Sequence, residues 1–187
     1  MAHSFFWVAL GIWLVCDMYV LLCRGSKKGR RKGEHHSKYV MVALIVTGMF
    51  GGIALSAEGR QAFMEDFNWF RSLSLFLIPM GIIIRMTAIH QLGKAFSIDV
   101  GLANGNGLYK EGLYSLIRHP SYLGELLCFL GVAVAFNHPV SSGFAFLFPL
   151  AAFSYRIIIE EKFLRKHYEE EFTQYARETK RLIPYVF

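Results

Sequence analysis

The chain has 187 residues, of which 54% are hydrophobic, 16% aromatic and only 18% charged, with a formal net charge of +6. A soluble domain carries about 25% charged residues; here the apolar residues gather into runs separated by short polar blocks, which argues for a bilayer and against a water-soluble domain. The basic residues fall between and after those runs, beside lipid headgroups, and so argue against a nucleic-acid surface.

Crossing a bilayer as a helix takes roughly 20 mostly apolar residues, with a range of about 17–25. Five runs qualify. The first, 4–22, starts almost at Met1 without a basic leader and has no small-residue cleavage site after it, so a retained helix is expected rather than a cleaved signal. The second, 39–57, contains Gly48, Gly51 and Gly52, which let helices approach closely. The third, 72–92, contains Pro79 and Arg85, the arginine expected to snorkel towards the cytoplasm. The fourth, 120–136, and the fifth, 143–159, are separated by the tight turn 137–142 and form an antiparallel hairpin. Beyond them, 160–178 reads as a separate amphipathic helix, with Phe163, Leu164, His167, Tyr168, Phe172, Tyr175 and Ala176 near helical spacing. The fold expected is an all-α integral membrane protein, divided into 1–92 with three spans and 93–187 with the hairpin and the chemistry.

Orientation follows from lysine and arginine. Arg24, Lys27, Lys28, Arg30, Arg31, Lys32 and Lys38 crowd the first connection, while 58–70 is acidic on balance. Lys94, Lys110 and Arg118 lie in the third, and Lys162, Arg165, Lys166, Arg177, Lys180 and Arg181 follow the fifth run. The basic blocks alternate sides, which puts the amino terminus outside and the carboxyl end in the cytoplasm. Cys16 and Cys128 lie inside apolar runs and Cys23 just after one, without metal-type spacing, and are expected to be structural.

Polar residues with chemical potential concentrate on the cytoplasmic side. Gly101, Gly105, Gly107 and Gly112 make 93–112 a loop that a ligand could approach closely, though a plain connection reads the same way. In Arg118-His119-Pro120-Ser121-Tyr122 the proline suits a first helical position, so His119 would sit at the entry to the fourth helix, where free amides attract anions. Arg156 and Glu160 share a helix face, as a structural ion pair or as separate holds for a substrate carboxylate and a cationic cofactor, while Glu161 turns away. Glu125 is expected to face the same cavity as His119, and Asp17 to pair with a neighbouring helix.

Taken together, Gly112-Leu113-Tyr114, Arg118-His119-Pro120-Ser121-Tyr122-Leu123-Gly124, Arg156 with Glu160-Glu161 and Leu164, and the closing Arg181-Leu182-Ile183-Pro184 resemble the isoprenylcysteine carboxyl methyltransferase family over 92–187. The resemblance implies S-adenosylmethionine as cofactor, contacted by Leu108, Tyr109, Tyr114, His119, Tyr122 and Glu160. It also implies a lipid-modified, prenylcysteine-like carboxylate as substrate, held by Arg156. Where animal members carry a histidine this chain has Asn106, after a loop that is shorter than theirs. Membrane sterol reductases that use NADPH share an Arg-His-Pro-x-Tyr element and are the rival reading; the Glu160-Glu161 pair favours the methyltransferases. The same residues would also suit a methyltransferase with a phospholipid amine acceptor, or a non-catalytic protein that binds lipid.

Overall fold

The computed structural model describes residues 2–23, 34–55, 72–93, 108–136 and 138–183, the side chains of 2, 3, 21–23, 34–36 and 55 excepted. Most of the basic first connection, the acidic second one, the glycine-bearing stretch 94–107 with Asn106, and Pro184 lie outside them, as does the side chain of Cys23. Five α-helices are described: α1 (Ala2–Cys23), α2 (Glu34–Leu55), α3 (Ser74–Leu92), α4 (Pro120–Phe136) and α5 (Pro139–Glu178), with a 3-10 turn at Gly112–Ser115 ahead of α4. Each expected apolar run is thus a helix.

Stretches in α2, α3 and α5 are long and apolar enough to cross a membrane, whereas the apolar parts of α1 (Ser4–Val20) and α4 (Pro120–Phe136) sit at the short end of a crossing length. Phe5, Val15, Phe50, Phe76, Ile83, Leu147 and Ile158 point outward. Large apolar side chains turned outward on successive helices suit a lipid environment. The chain is an all-helical, multi-pass membrane protein.

The carboxyl-terminal helix differs from expectation. Instead of a span followed by a separate amphipathic helix, α5 runs from Pro139 to Glu178. Pro139 opens it behind His138, whose Nδ1 accepts from the Ser141 amide at 3.4 Å. No glycine or proline occurs between Leu150 and Glu178, so the backbone ladder continues out of the apolar stretch. It is interrupted at Glu169, which has φ 41 and ψ −108.

The helices pack in the order α1, α3, α4, α5, α2. Glycines set two of these seams. A Cβ on Gly124 of α4 would lie 2.6 Å from the Gly81 carbonyl of α3, and one on Gly48 of α2 would lie 2.6 Å from Phe148 Cβ of α5. Close approach of this kind gives van der Waals packing where lipid offers no hydrophobic drive between helices. One core cluster draws on both halves of the sequence, with Phe6, Trp13, Ile78, Phe129, Phe153 and Leu182 among its members. Cys128 is buried in it and, like Cys16, is a free thiol.

Two expectations about charged residues are corrected. Arg85 does not snorkel out; its Nε lies 2.9 Å from Asp17 Oδ1 of α1 and 3.0 Å from Glu125 Oε2 of α4. Flanking carboxylates on both neighbouring helices offset the charge in place, which weakens the reason to reach for water. Asp17 pairs with α3 as expected. Glu125 also accepts a hydrogen bond from Trp13 Nε1 at 3.4 Å. It therefore faces α1 and α3 and not the side of His119. Six residues at roughly 100° each turn it about 240° around α4, whereas Tyr122, three residues on, stays near the histidine. A substrate contact for Glu125 shared with His119 has no support in this geometry.

Candidate active site

Most of the candidate residues meet where α4 begins and α5 passes it. The Tyr122 hydroxyl donates to Glu160 Oε2 at 2.8 Å, joining the first turn of α4 to α5. The Arg156 guanidinium, one turn earlier on α5, is also within reach of that hydroxyl. Arg156 is among the largest fully buried side chains described, at 2% exposure, and its Nη1 donates to Ser37 Oγ of α2 at 2.6 Å. A guanidinium and a carboxylate thus approach one tyrosine hydroxyl, with α2 closing the far side. Ser37 had no signal in the sequence; a lone serine near a helix start is unremarkable until the fold brings α2 against α5.

His119 is buried and lies parallel to the Tyr122 ring, with centroids 5.6 Å apart and 14° between planes. Tyr122 in turn packs on Phe153 at 5.3 Å. His119 does precede α4, its carbonyl accepting from the Tyr122 and Leu123 amides at 3.1 Å each. The expectation of open amides beside it is corrected. The Arg118 amide donates to the Lys180 carbonyl at 2.8 Å and the His119 amide to the Arg181 carbonyl at 3.0 Å. The carboxyl-terminal segment lies alongside the entry to α4 in a short parallel bridge, Ile117 to Lys180.

Glu161 turns away from the face of Arg156 and Glu160, as expected, but into a second buried network and not to solvent. It is buried at 4% exposure, with Oε1 2.8 Å from Arg118 Nε and Oε2 3.0 Å from Arg181 Nε. His119 Nε2 lies 3.5 Å from the same carboxylate. Glu161 lies beyond the apolar stretch of α5; burial opposes its ionisation, but the His119 and Arg118 contacts outweigh that and hold its carboxyl at about 2. Arg118 also donates through Nη1 to the Ala176 carbonyl at 3.2 Å and to the Thr179 carbonyl. In the sequence Arg118 and Arg181 lie 43 and 20 residues from Glu161, so nothing local marks this network.

Ahead of α4, Leu108 and Tyr109 are half-buried and Tyr114 is buried. Gly112, at φ 59, starts the 3-10 turn, and Gln91 Oε1 of α3 accepts from the Leu113 amide at 3.0 Å. Tyr109 meets Tyr114 edge-on at 5.6 Å. The Tyr114 hydroxyl donates to the Ala88 carbonyl at 3.4 Å, and its own carbonyl accepts from the Tyr175 hydroxyl at 2.6 Å. Burial, then the nearby Glu160 carboxylate, push the Tyr114 phenol well above its ordinary range, so it stays protonated as a donor. The structure thus joins Tyr122 with Glu160 and Arg156, stacks His119 on that group, and sets Tyr109 and Tyr114 beside it.

An arrangement of this kind can hold a cation against Glu160 and the aromatic faces, and an anion against Arg156. Residues 69–171, more than half of the chain, match the family model described as phospholipid methyltransferase. The protein-S-isoprenylcysteine O-methyltransferase A of Arabidopsis thaliana is 33% identical over 120 residues, covering 63% of this chain and 61% of that protein. The protein-S-isoprenylcysteine O-methyltransferase of Saccharomyces cerevisiae is 33% identical over 117 residues, covering 61% of this chain and 48% of the yeast protein. These alignments therefore span less than two thirds of the curated relatives' length. Among solved structures, the eukaryotic intramembrane Ras methyltransferase ICMT (isoprenylcysteine carboxyl methyltransferase) superposes with a TM-score of 0.60 at 18% identity, over 95% of this chain and 67% of that one, a likeness of fold. The chain belongs to the phospholipid methyltransferase family.

Proposed function

We propose that this protein is a membrane-embedded methyltransferase that moves a methyl group from S-adenosylmethionine to the carboxylate of a lipid-modified, prenylcysteine-like substrate. The observation that carries the reading is the convergence of Arg156 and Glu160 on the Tyr122 hydroxyl. It supplies opposite charges for an anionic acceptor and a cationic donor within one helical turn. The relatives named above are isoprenylcysteine O-methyltransferases, which supports the same acceptor class. A reductase is not favoured by the family match.

The residues present fit S-adenosylmethionine through the chemistry of the donor set: the carboxylate of Glu160, the rings of Tyr109, Tyr114 and Tyr122, and the buried imidazole of His119. When bound, that cofactor supplies an electrophilic methyl group on a sulfonium. The chain's own work is then alignment and exclusion of water. Arg156 presents a planar fork that matches a carboxylate and fixes which oxygen points inward. A carboxylate is ionised near neutral pH, with an ordinary value of about 4, so no residue need remove a proton. Glu160, held by Tyr122, places fixed negative charge beside the donor, and Tyr114 remains a neutral hydrogen-bond donor. The basic connections support an orientation with the amino terminus outside and the carboxyl end in the cytoplasm. That arrangement would bring the donor from water and the acceptor from the bilayer.

The test is methyl transfer by the purified protein in detergent or nanodiscs, from labelled S-adenosylmethionine to a farnesylated cysteine analogue, with phosphatidylethanolamine as the competing acceptor. Base-labile label on the cysteine analogue is expected. Label on phosphatidylethanolamine alone would move the protein to amine methylation, and NADPH binding without S-adenosylhomocysteine binding would remove it from the methyltransferases.

A further inference from the structure

The turn of helix after the break in α5 touches the proposed cofactor-contacting segment at both of its ends. Tyr175, itself 4% exposed, donates its hydroxyl to the Tyr114 carbonyl at 2.6 Å. Glu171 Oε1 lies 2.9 Å from Lys110 Nζ. Residues four apart share a helix face, so Glu171 and Tyr175 act on the segment from one side. We propose that 170–178 is a clamp that pre-shapes residues 108–114 for the cofactor, with Tyr175 as its main positioning residue and Glu171 as the second hold. The proposal rests on reading 108–114 as a cofactor-contacting segment.

Several observations support a clamp over incidental packing. The segment 108–114 contains no α-helix, and only its last residues form a 3-10 turn, so its own backbone bonds do little to fix it. Side chains from elsewhere hold it instead: Gln91 Oε1 accepts from the Leu113 amide, the Tyr175 hydroxyl donates to the Tyr114 carbonyl, and Glu171 pairs with Lys110. The ring of Tyr114 then sets Tyr109 edge-on, so moving one carbonyl moves two candidate cofactor contacts. The face that reaches the segment also depends on Glu169. A non-glycine residue at φ 41 is strained and persists only where its surroundings hold it. Here the Thr173 hydroxyl donates to the Glu169 carbonyl at 2.9 Å, and Phe172, fully buried with Arg165 over its ring, anchors the turn that follows. Without the break, α5 would carry positions 171 and 175 on in the phase of the preceding turns.

A segment that is ordered before the ligand arrives does not spend binding energy on ordering itself. Removing the Tyr175 hydroxyl should therefore weaken donor binding and leave the chemical step alone. The Glu171 pair is half-exposed and should matter less.

The experiment uses the full chain in detergent, comparing wild type with Tyr175→Phe and Glu171→Gln. Amide hydrogen exchange across 108–116 is read without cofactor, with α4 as internal reference. S-adenosylhomocysteine affinity, donor KM, acceptor KM and kcat are read alongside. The expected result for Tyr175→Phe is faster exchange in 108–116 with α4 unchanged. S-adenosylhomocysteine binding and donor KM should both weaken about three- to tenfold, with kcat and acceptor KM held. Glu171→Gln should move the same quantities less. Unchanged exchange in 108–116, or a uniform rise that includes α4, would overturn the clamp. If wild type fails to bind S-adenosylhomocysteine, the functional reading falls, while the exchange result still decides whether 170–178 holds the segment.

Discussion

The Tyr122 hydroxyl and the Glu160 carboxylate are 2.8 Å apart, and this single bond couples the entry of α4 to the middle of α5. Glu160 is thereby held as a fixed charge beside the aromatic group. If that charge faces the sulfonium, Glu160→Gln should weaken S-adenosylmethionine about tenfold or more, in the range of hydrogen bonds to charged groups. Neutral-sulfur S-adenosylhomocysteine should lose much less. Calorimetry on both ligands decides it; equal losses would place the carboxylate on a part of the molecule that the two share.

Arg156 should behave as an acceptor residue. Arg156→Lys keeps the charge but not the planar fork, and acceptor KM is expected to rise about tenfold to a hundredfold while S-adenosylhomocysteine affinity stays within twofold. Glu125→Gln, on the opposite side of α4, should leave acceptor KM unchanged in the folded fraction. Steady-state kinetics with a farnesylcysteine analogue separate the two. Full turnover and unchanged KM for both lysine and alanine variants at 156 would refute the assignment.

Glu161 anchors the network of Arg118, His119 and Arg181 and should be read in stability. Removing one partner of a buried ion pair costs about 3–5 kcal/mol, so Glu161→Ala should lower the thermal midpoint by several degrees at least. Because its carboxyl is held at about 2, below the ordinary value of 4.5, its contribution is present above pH 4.5 and is lost as pH falls from there through about 2. Wild type should therefore lose stability over that acid range more steeply than Glu161→Gln. Parallel curves for the two proteins would contradict this.

The α3–α4 seam depends on the absence of side chains. A Cβ at Gly124 would meet the Gly81 carbonyl and the Arg85 amide at 2.6 Å each, so Gly124→Ala should destabilise by about 1–3 kcal/mol. Gly11 of α1 has nothing within 4 Å of its Cβ position, and Gly11→Ala should be neutral or stabilising by about 0.5–1 kcal/mol. Detergent unfolding of the pair makes the contrast; a loss at Gly11 would mean that α1 packs more closely than described.

Where helices form was legible because a bilayer demands long apolar runs, and each such run became one. Their inner faces were less legible. In a membrane the uniform hydrophobicity of a span hides which side meets protein, so the sequence does not show that Glu125 faces α1 and α3, or that Arg85 stays between Asp17 and Glu125 instead of snorkelling towards the cytoplasm. Counting six residues as about 240° would have separated Glu125 from His119. The pairing of Tyr122 with Glu160 sits on a motif recognisable in the chain, whereas Ser37 comes from a helix outside the matched region 69–171. The role of Glu161 was missed because its partners, Arg118 and Arg181, are distant in sequence and nothing local announces them. The merging of the span with the amphipathic segment was hidden for a related reason: the polarity changes at Glu160 but the backbone does not.

The carbonyls that receive the Arg118 and His119 amides belong to Lys180 and Arg181, and Arg118 reaches Thr179, 61 residues further along. These groups are synthesised only after both arms of the hairpin. Translation and insertion can thus deliver α4 and the apolar arm of α5 to the bilayer before this surface is assembled. Until residues 179–183 emerge and fold back, the newly inserted chain has its apolar helices but no finished site, so biogenesis separates arrival in the membrane from competence to act there.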